Sequence, residues 1–256
     1  MIRIFSTESD FERAQKAAHS LNVSVELCIE RPSVHSGFYL WSHSGRLELG
    51  YEREVPSAYA DMEALRARIR SGNKLHLSRS IGINKRAGLK VLDAMAGFGV
   101  DAMVMMGLGC EVQLYERSPI MCALLRDALD RFSSRHSLSD TSIVCGDVGV
   151  FLDALSGPPQ FDVIYLDPMF PQRKKNALPN RRAQLLSRLV PEIETEQSVI
   201  RLIEVSRLHA GMRVVLKRRR TDPVALKPDW QVFARTVRYD VYRGVGEAEK
   251  LVGRMD

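Results

Sequence analysis

The sequence lacks the patterns that specify metal sites and membrane spans. Its 256 residues include four cysteines and six histidines, with no C-x-x-C pair and no histidine spacing typical of zinc ligands or of a catalytic group. We therefore expect no metal. No uninterrupted apolar run approaches the roughly 20 residues that a bilayer span requires, so we also expect no membrane partner.

The sequence also lacks the features of a secreted protein. The first residues, MIRIFSTESDFERA, carry charges and contain no apolar stretch of the kind found in a signal peptide. Three of the four cysteines lie in apolar segments, where cysteine is typical of a small core residue in a reducing compartment. We therefore predict a cytoplasmic protein.

The composition excludes a largely disordered chain. Hydrophobic residues make up 45% and charged residues 27%, which are ordinary values for a globular protein with a core. The length accommodates one large α/β domain and a smaller unit. The net charge of +6 favours a polyanionic partner such as nucleic acid, although charge alone does not identify one.

Strands alternate with helices from Leu89 onward, which predicts a parallel doubly wound sheet. The predicted strands are LKVLDA, EVQLYER, SIVCGD, FDVIYLDP and MRVVLKR, and WQVFARTVRYDVYRG is expected to add one or two more. We predict an α/β, Rossmann-like domain over residues 76–256 and a small N-terminal α+β unit over residues 1–75. The segment 74–90 is rich in Lys, Arg, Gly and Ser, and we predict it to be a connection. Ligands of such sheets bind at the carboxyl ends of the strands.

A glycine turn follows the first strand of this sheet. Counted from Gly97, the sequence Gly97-Phe-Gly99-Val-Asp101-Ala fits the dinucleotide fingerprint G-x-G-x-x-A, and Glu116 ends the next strand at a suitable distance for a ribose hydroxyl. NAD is therefore one candidate cofactor. A tight structural turn without a ligand is the other simple interpretation.

Acidic residues recur at the ends of four successive strands, and they favour a different cofactor. These residues are Asp93, Glu116, Asp147 and Asp167. A carboxylate at Asp93 would repel a pyrophosphate, whereas S-adenosylmethionine (SAM) carries a sulfonium, an ammonium, ribose hydroxyls and an adenine amine, which are cations or hydrogen-bond donors. We therefore favour SAM over NAD.

Position along the sheet predicts roles for the residues around this cofactor. We expect Glu116 to accept hydrogen bonds from the ribose hydroxyls and Asp147 to lie near the adenine amine. Gly97, Gly99 and Gly146 would allow the backbone to approach the cofactor closely. For Asp147 a turn acid after a strand, and for Asp101 an acid in a first helical turn, are the simpler alternatives.

The segment DPMFP, beginning at Asp167, carries a family resemblance. It occupies the place of the (N/D)-P-P-(Y/F/W) tetrad of methyltransferases that modify exocyclic amino groups. Together, DAMAGFGVDA, LYER, CGD and VIYLDPMFP resemble the small-subunit (16S) rRNA guanine-N2 methyltransferase J family, most densely over residues 89–175. The departure from the general tetrad is Met169, where a second proline is usual.

The resemblance implies a class I methyltransferase that uses SAM to methylate N2 of one guanine in 16S rRNA, with the small ribosomal subunit or its rRNA as partner. It also implies cofactor contacts at a set of residues at the strand ends. These are Val100, Asp101, Glu116, Arg117, Gly146, Asp147 and Asp167.

The chemistry of an exocyclic amine explains the residues of this segment. The lone pair of such an amine is delocalised into the ring, so positioning is a main source of rate. We predict that Asp167 accepts a hydrogen bond from the amine, that Pro168 fixes the backbone, and that Phe170 stacks on an extruded guanine. Met169 is more consistent with packing than with chemistry.

Two basic clusters follow strand ends and predict RNA contacts. The first is Arg173, Lys174, Lys175, Arg181 and Arg182, and the second is Lys217, Arg218, Arg219 and Arg220. Each cluster could be an ordinary solvated face, but their shared place beside the predicted cleft favours phosphate binding.

Two alternatives to this function stay open on the residues alone. One is an amino methyltransferase that acts on another RNA or on a DNA base. The other is a non-catalytic nucleic-acid-binding protein with the same fold, which would have no need of Asp93, Glu116, Asp147 and Asp167 together.

Overall fold

The computed structural model describes residues 2–52, 58–64, 74–84, 86–136, 141–168, 185, 188–189 and 194–246. Within these ranges the chain forms two β-sheets with helices packed around them. Several predicted site residues lie outside the described residues. They are Phe170, Arg173, Lys174, Lys175, Arg181 and Arg182.

The first sheet lies within the predicted N-terminal unit. Its strands are β1 (Arg3–Ser6), β2 (Val25–Leu27), β3 (Phe38–His43) and β4 (Arg46–Tyr51), in the order β2-β1-β3-β4, and helix α1 (Phe11–Leu21) follows β1. Ser44 and Gly45 join β3 to β4 and both have positive φ, 51° and 73°. These angles suit a two-residue hairpin turn, and the hairpin predicted around Ser44-Gly45 is confirmed.

The second sheet has seven strands and carries the candidate site. They are β5 (Lys90–Asp93), β6 (Glu111–Glu116), β7 (Ser142–Cys145), β8 (Phe161–Leu166), β9 (Ala210–Arg219), β10 (Trp230–Phe233) and β11 (Val237–Arg243). The order is β10-β11-β9-β8-β5-β6-β7. Neighbouring strands from β9 to β7 pair in parallel, whereas β11 and β10 are added antiparallel. The predicted mostly parallel α/β sheet is confirmed.

Helices cover both faces of this sheet. They are α2 (Lys74–Ile81), α3 (Val100–Gly107), α4 (Pro119–Ser133), α5 (Val148–Ala154) and α6 (Glu196–His209). The prediction of a connection over residues 74–90 was wrong for its first half, because Leu77 and Ile81 lie four positions apart on α2 and are both buried. Among the described residues, no helix is both long and apolar enough to cross a membrane.

The pairing of β8 with β9 contains one irregularity. Phe161 pairs with Ala210, but Val163 pairs with Arg213, so β9 has one more residue than β8 over this step. From there the register is regular, and Leu166 pairs with Leu216. Gly211 lies within the irregular step.

The N-terminal sheet packs on α4 through a buried carboxylate. Asp127 of α4 accepts hydrogen bonds from the backbone N–H of Leu47 at 3.1 Å and from Nε of Arg131 at 2.9 Å, and it is ion-paired with Arg13 of α1. Apolar residues from both sheets belong to one continuous core. The predicted division at residue 75 stays a prediction.

Candidate active site

A cavity of about 690 Å³ lies where the carboxyl ends of β5, β6, β7 and β8 meet. Nine of the ten residues predicted to contact a cofactor line it. They are Asp93, Gly97, Val100, Asp101, Glu116, Arg117, Gly146, Asp147 and Asp167. The volume lies in the range typical of small-molecule sites. Parallel strands place their following residues at one edge, which is why residues up to 74 positions apart in the sequence share this cavity.

The two glycines of the turn have different surroundings. Gly97 has φ of 53°, and a Cβ built there meets nothing within 4 Å, so its backbone faces open space at the cavity. Gly99 has φ of 71°, and a Cβ there would lie 2.8 Å from both Leu125 Cδ1 and Met62 Cε. Gly99 does not line the cavity. Only glycine fits against these side chains, which gives Gly99 a packing role, and its predicted contact with the cofactor stays a prediction.

Glu116 connects the glycine turn to the end of β6. Its Oε2 accepts from the Gly97 N–H at 2.9 Å, and its Oε1 accepts from the Ser118 N–H at 2.8 Å. Burial raises the pKa of this carboxyl, and the two backbone donors oppose the shift. A carboxylate oxygen can accept more than one hydrogen bond, so Glu116 can also receive a hydroxyl from the cavity.

Asp147 and Arg117 occupy the rim of the cavity on the β6 and β7 side. Asp147 caps α5, because its Oδ1 accepts from the backbone N–H of Gly149 at 2.7 Å and of Val150 at 3.2 Å. Arg117 donates from Nη1 to Glu194 Oε1 at 2.9 Å. Glu194 directly precedes α6 and its cap, so this ion pair connects α6 to the end of β6.

A cluster of charges lies at the ends of β5, β8 and β9. The ammonium of Lys217 lies 2.6 Å from Asp101 Oδ2 and 2.9 Å from Asp167 Oδ2. The buried hydroxyl of Tyr165 donates to the same Asp101 oxygen at 2.6 Å. Asp93 is 1% exposed and its Oδ1 is 3.4 Å from the Met95 nitrogen. Two carboxylates thus hold one ammonium, and the buried Asp93 carboxyl lines the same cavity.

Burial and mutual repulsion shift the pKa values in this cluster. Burial raises the pKa of Asp93 well above its ordinary value, and the charges of Asp101 and Asp167 add to the shift. Burial also raises the pKa of Asp167, against the opposing effect of Lys217. For Lys217 burial disfavours the charge, but Asp167 and Asp101 outweigh it, so its pKa is raised. The excess of carboxylates makes the cavity a favourable environment for a cationic ligand.

The structure places the second basic cluster differently from the sequence prediction. We expected Lys217 to Arg220 to follow a strand, but β9 continues to Arg219, so the side chains alternate between the two faces of the sheet. Lys217 is held by the cavity carboxylates and Arg218 is 6% exposed, and the RNA contacts expected of this cluster stay a prediction. Arg219 is ion-paired with Asp222, and Arg220 is exposed.

Sequence reasoning missed several residues of the cavity. Tyr165 could have been found, since it lies two positions before Asp167 and residues at that spacing share a face of a strand. Further missed residues come from α4 and from the region of α6, far from the motifs. They are Met121, Glu194, Ser198, Leu202 and Val205. Their apolar members give the cavity a wall suited to an aromatic base.

The sequence is similar to known proteins over most of its length. Residues 26–244 match the family model described as "Putative SAM-dependent methyltransferase". Ribosomal RNA small subunit methyltransferase J from Legionella pneumophila strain Lens is 33% identical over 236 residues, which cover 90% of this chain and 91% of that protein. The corresponding protein of strain Philadelphia 1 is 36% identical over the same shares.

A solved structure supports the fold independently. The crystal structure of a SAM-dependent methyltransferase from Neisseria gonorrhoeae superimposes with a TM-score of 0.75, at 23% sequence identity, and covers 98% of this chain and 99% of that one. The predicted fold class is thereby confirmed. The family model confirms the preference for SAM over NAD.

Proposed function

Because this chain belongs to the ribosomal RNA small subunit methyltransferase J family of SAM-dependent enzymes, we propose that it methylates the exocyclic N2 of a guanine in 16S rRNA. The chain is a class I methyltransferase and its cofactor is SAM. The partner we propose is the small ribosomal subunit or its 16S rRNA, in the cytoplasm. The observation that carries the proposal is the position of Asp167, a carboxylate at the end of β8 that faces the cavity and is held by Lys217.

The residues of the cavity fit SAM by their chemistry. We assign the ribose hydroxyls to Glu116 and the adenine amine to the neighbourhood of Gly146 and Asp147, and we assign the cationic amino acid end to Asp93 and Asp101. Bound SAM supplies an electrophilic methyl group on a sulfonium sulfur. The raised pKa of Asp93 supports this assignment, because a nearby cation stabilises the ionised carboxylate that burial disfavours.

Asp167 is proposed to position the guanine amine. A carboxylate that accepts from N2–H draws the nitrogen toward tetrahedral geometry and aims its lone pair at the cofactor side of the cavity, so orientation lowers the barrier. Lys217 holds Asp167 in place by the 2.9 Å contact and favours its ionised form. Pro168 is buried directly after it and fixes the backbone dihedral φ. No strong base is required, since the methylated ammonium is acidic and loses its proton readily.

The proposal is tested by transfer of labelled methyl from SAM to small subunits that lack the modification, followed by nucleoside analysis. We expect N2-methylguanosine as the labelled product. Any other labelled nucleoside would overturn the assignment of the target atom. Protein-free 16S rRNA in a parallel reaction separates naked RNA from the assembled subunit as substrate, and Asp167→Ala protein serves as the control for contaminating activities.

Asp93→Asn is expected to stabilise the cofactor-free protein while it weakens SAM binding. An acid whose pKa is raised by folding loses stability as the pH rises from its ordinary range through the raised value, and the neutral amide avoids this loss. At pH 8 we expect the Tm to rise by about 2–4 °C, equivalent to about 1 kcal/mol for a chain of this size. Removal of the charge should weaken SAM about tenfold, since one lost charge-assisted contact costs roughly 1.5 kcal/mol.

Thermal melts from pH 5 to pH 8 and calorimetric titration with SAM measure the two effects. Asp130→Asn, on an exposed turn of α4, is the matched control and should change neither quantity. An Asp93→Asn protein with wild-type Tm at pH 8 would contradict the predicted gain in stability. One with wild-type affinity for SAM would contradict the proposed contact between Asp93 and the cofactor.

A further inference from the structure

A second cavity lies along the outer strand of the large sheet. It has a volume of about 440 Å³ and runs between α2 and β10. Two aromatic rings and several cationic or amide side chains line it. They include His76, Arg79, Arg213, Trp230, Gln231 and Phe233. No Asp or Glu occurs among the described residues that line this groove, so its chemistry favours an anion with flat, hydrogen-bonding groups.

The rings of the groove are paired with guanidinium groups. Phe233 is 47% exposed, although it is a large apolar side chain, and the Arg220 guanidinium lies 5.4 Å from its ring centroid. The Arg213 guanidinium lies 5.1 Å from the Trp230 ring. Unstacked RNA bases stack on aromatic rings and on guanidinium planes, and such platforms tolerate every base.

The strand register places Phe233 at the same edge of the sheet as the active site. Phe233 pairs with Arg238, and Arg238 pairs with Arg218, the residue after Lys217. Strand β10 is three strands away from β8 in the sheet order. With a strand spacing of about 4.8 Å, Phe233 lies roughly 14 Å from the end of β8 across the sheet. The side chain of Phe233 lies on the face of Arg218, opposite to that of Lys217, and β10 is the outer strand of the sheet. A nucleic acid strand that delivers a base to Asp167 would therefore reach Phe233 around this outer strand.

We propose that the groove between α2 and β10 binds a single-stranded segment of RNA next to the target nucleotide. Phe233 would stack on a flanking base, and Arg79 and Arg220 would contact phosphates. The inference rests on the proposed function, because it assumes an RNA substrate. A protein that adds a strand to the edge of β10 is the competing occupant, but the cationic lining and the net charge of +6 favour a polyanion.

Two substitutions outside the active site test the groove. Phe233→Ala should raise the KM for unmodified small subunits at least about fivefold, the lower end of what the loss of one base stack costs. Arg79→Ala should also raise this KM and lower the slope of log KM against log salt by about 1, as expected for one lost phosphate contact. Neither should change kcat or the affinity for SAM, since neither residue lines the active-site cavity.

Each of the two groove substitutions has a control that makes the same kind of change at an exposed residue far from the groove. Ile29→Ala, at a residue 96% exposed on the N-terminal unit, matches the apolar truncation, and Lys16→Ala, on α1, matches the loss of charge. Both should keep the wild-type KM. If the wild-type enzyme methylates subunits and both groove variants keep its KM, the groove proposal is wrong while the proposed function stands. If the wild-type enzyme methylates no rRNA, the proposed function itself fails.

The occupant is identified by crosslinking. A photoreactive phenylalanine analogue at position 233 is irradiated in the complex of the full-length enzyme with unmodified small subunits. A crosslink to 16S rRNA supports the proposal. A crosslink to a ribosomal protein, or none from an enzyme that still methylates the subunit, overturns it.

Discussion

Asp167→Ala is expected to abolish methyl transfer while SAM affinity stays within a few fold of the wild-type value. The substitution removes the acceptor proposed to orient the guanine amine, and Lys217 keeps its other partner, Asp101, at 2.6 Å. Loss of one preorganised group that acts only in the transition state typically lowers kcat by about 100-fold to 1000-fold. Because alanine leaves no hydrogen-bond acceptor at this position, we expect kcat to decrease by about 1000-fold, the upper end of that range. Single-turnover methylation of unmodified subunits and equilibrium titration with SAM separate the two quantities.

Asp167→Asn separates the charge of Asp167 from its acceptor oxygen, and Glu116→Gln separates SAM binding from turnover. The asparagine variant keeps one acceptor oxygen but loses the charge, so its kcat should lie between those of the wild type and the alanine variant. Glu116→Gln can accept from only one of the Gly97 and Ser118 N–H groups, so it should weaken SAM binding more than it lowers kcat. Near-normal turnover in Asp167→Ala would remove this residue from the mechanism.

Lys217→Met is expected to lose both stability and activity. It leaves Asp101 and Asp167 without their shared ammonium, beside the buried Asp93. Removal of one partner from a fully buried pair costs about 3–5 kcal/mol, and we expect roughly 2–3 kcal/mol here because Asp167 is 37% exposed. This corresponds to a decrease in Tm of about 4–12 °C at neutral pH. Methyl transfer should decrease by about 100-fold or more, since Asp167 loses the group that orients it.

The pH dependence of stability and a double substitution identify the cause of the stability loss in Lys217→Met. The raised pKa of Lys217 keeps its ammonium charged through the whole range in which the protein is studied, so the lysine itself contributes no titration there. The loss of stability in Lys217→Met should instead become smaller toward acid pH, where the carboxylates become protonated.

Adding Asp101→Asn to Lys217→Met should restore part of the stability, as a coupled pair requires. Lys16→Met, on an exposed lysine of α1, is the control. A Lys217→Met protein with wild-type Tm at neutral pH would contradict the electrostatic account.

The acidic residues of the site were predictable because they depend only on local pattern. Asp93 and Glu116 end recognisable strands, and Asp147 and Asp167 come shortly after the next two. Parallel strands bring these positions to one edge whatever the details of packing. The roles proposed for them stay predictions. The fold was predictable for the same reason, since alternating strands and helices leave few topologies.

The errors arose where long-range packing decides. The run Lys217-Arg-Arg-Arg220 was predicted to follow the end of the fifth strand, but β11 pairs with β9 as far as Arg219 and keeps the backbone extended. The packing of Gly99 was also not predictable, because the residue is confined by Leu125 and by Met62, which lies in the predicted N-terminal unit. A local sequence pattern does not predict a contact between segments so far apart in the sequence.

The irregular step at the start of β9 determines which side chain reaches the active site. If the pairing of Phe161 with Ala210 continued without the extra residue, Leu216 would pair with Asp167 and its side chain would lie on the same face as the carboxylate. The additional residue advances β9 by one position, so that an ammonium and not an isobutyl group lies next to the carboxylate. The ion pair at the candidate active site thus depends on one additional residue near Gly211, at the other end of β9.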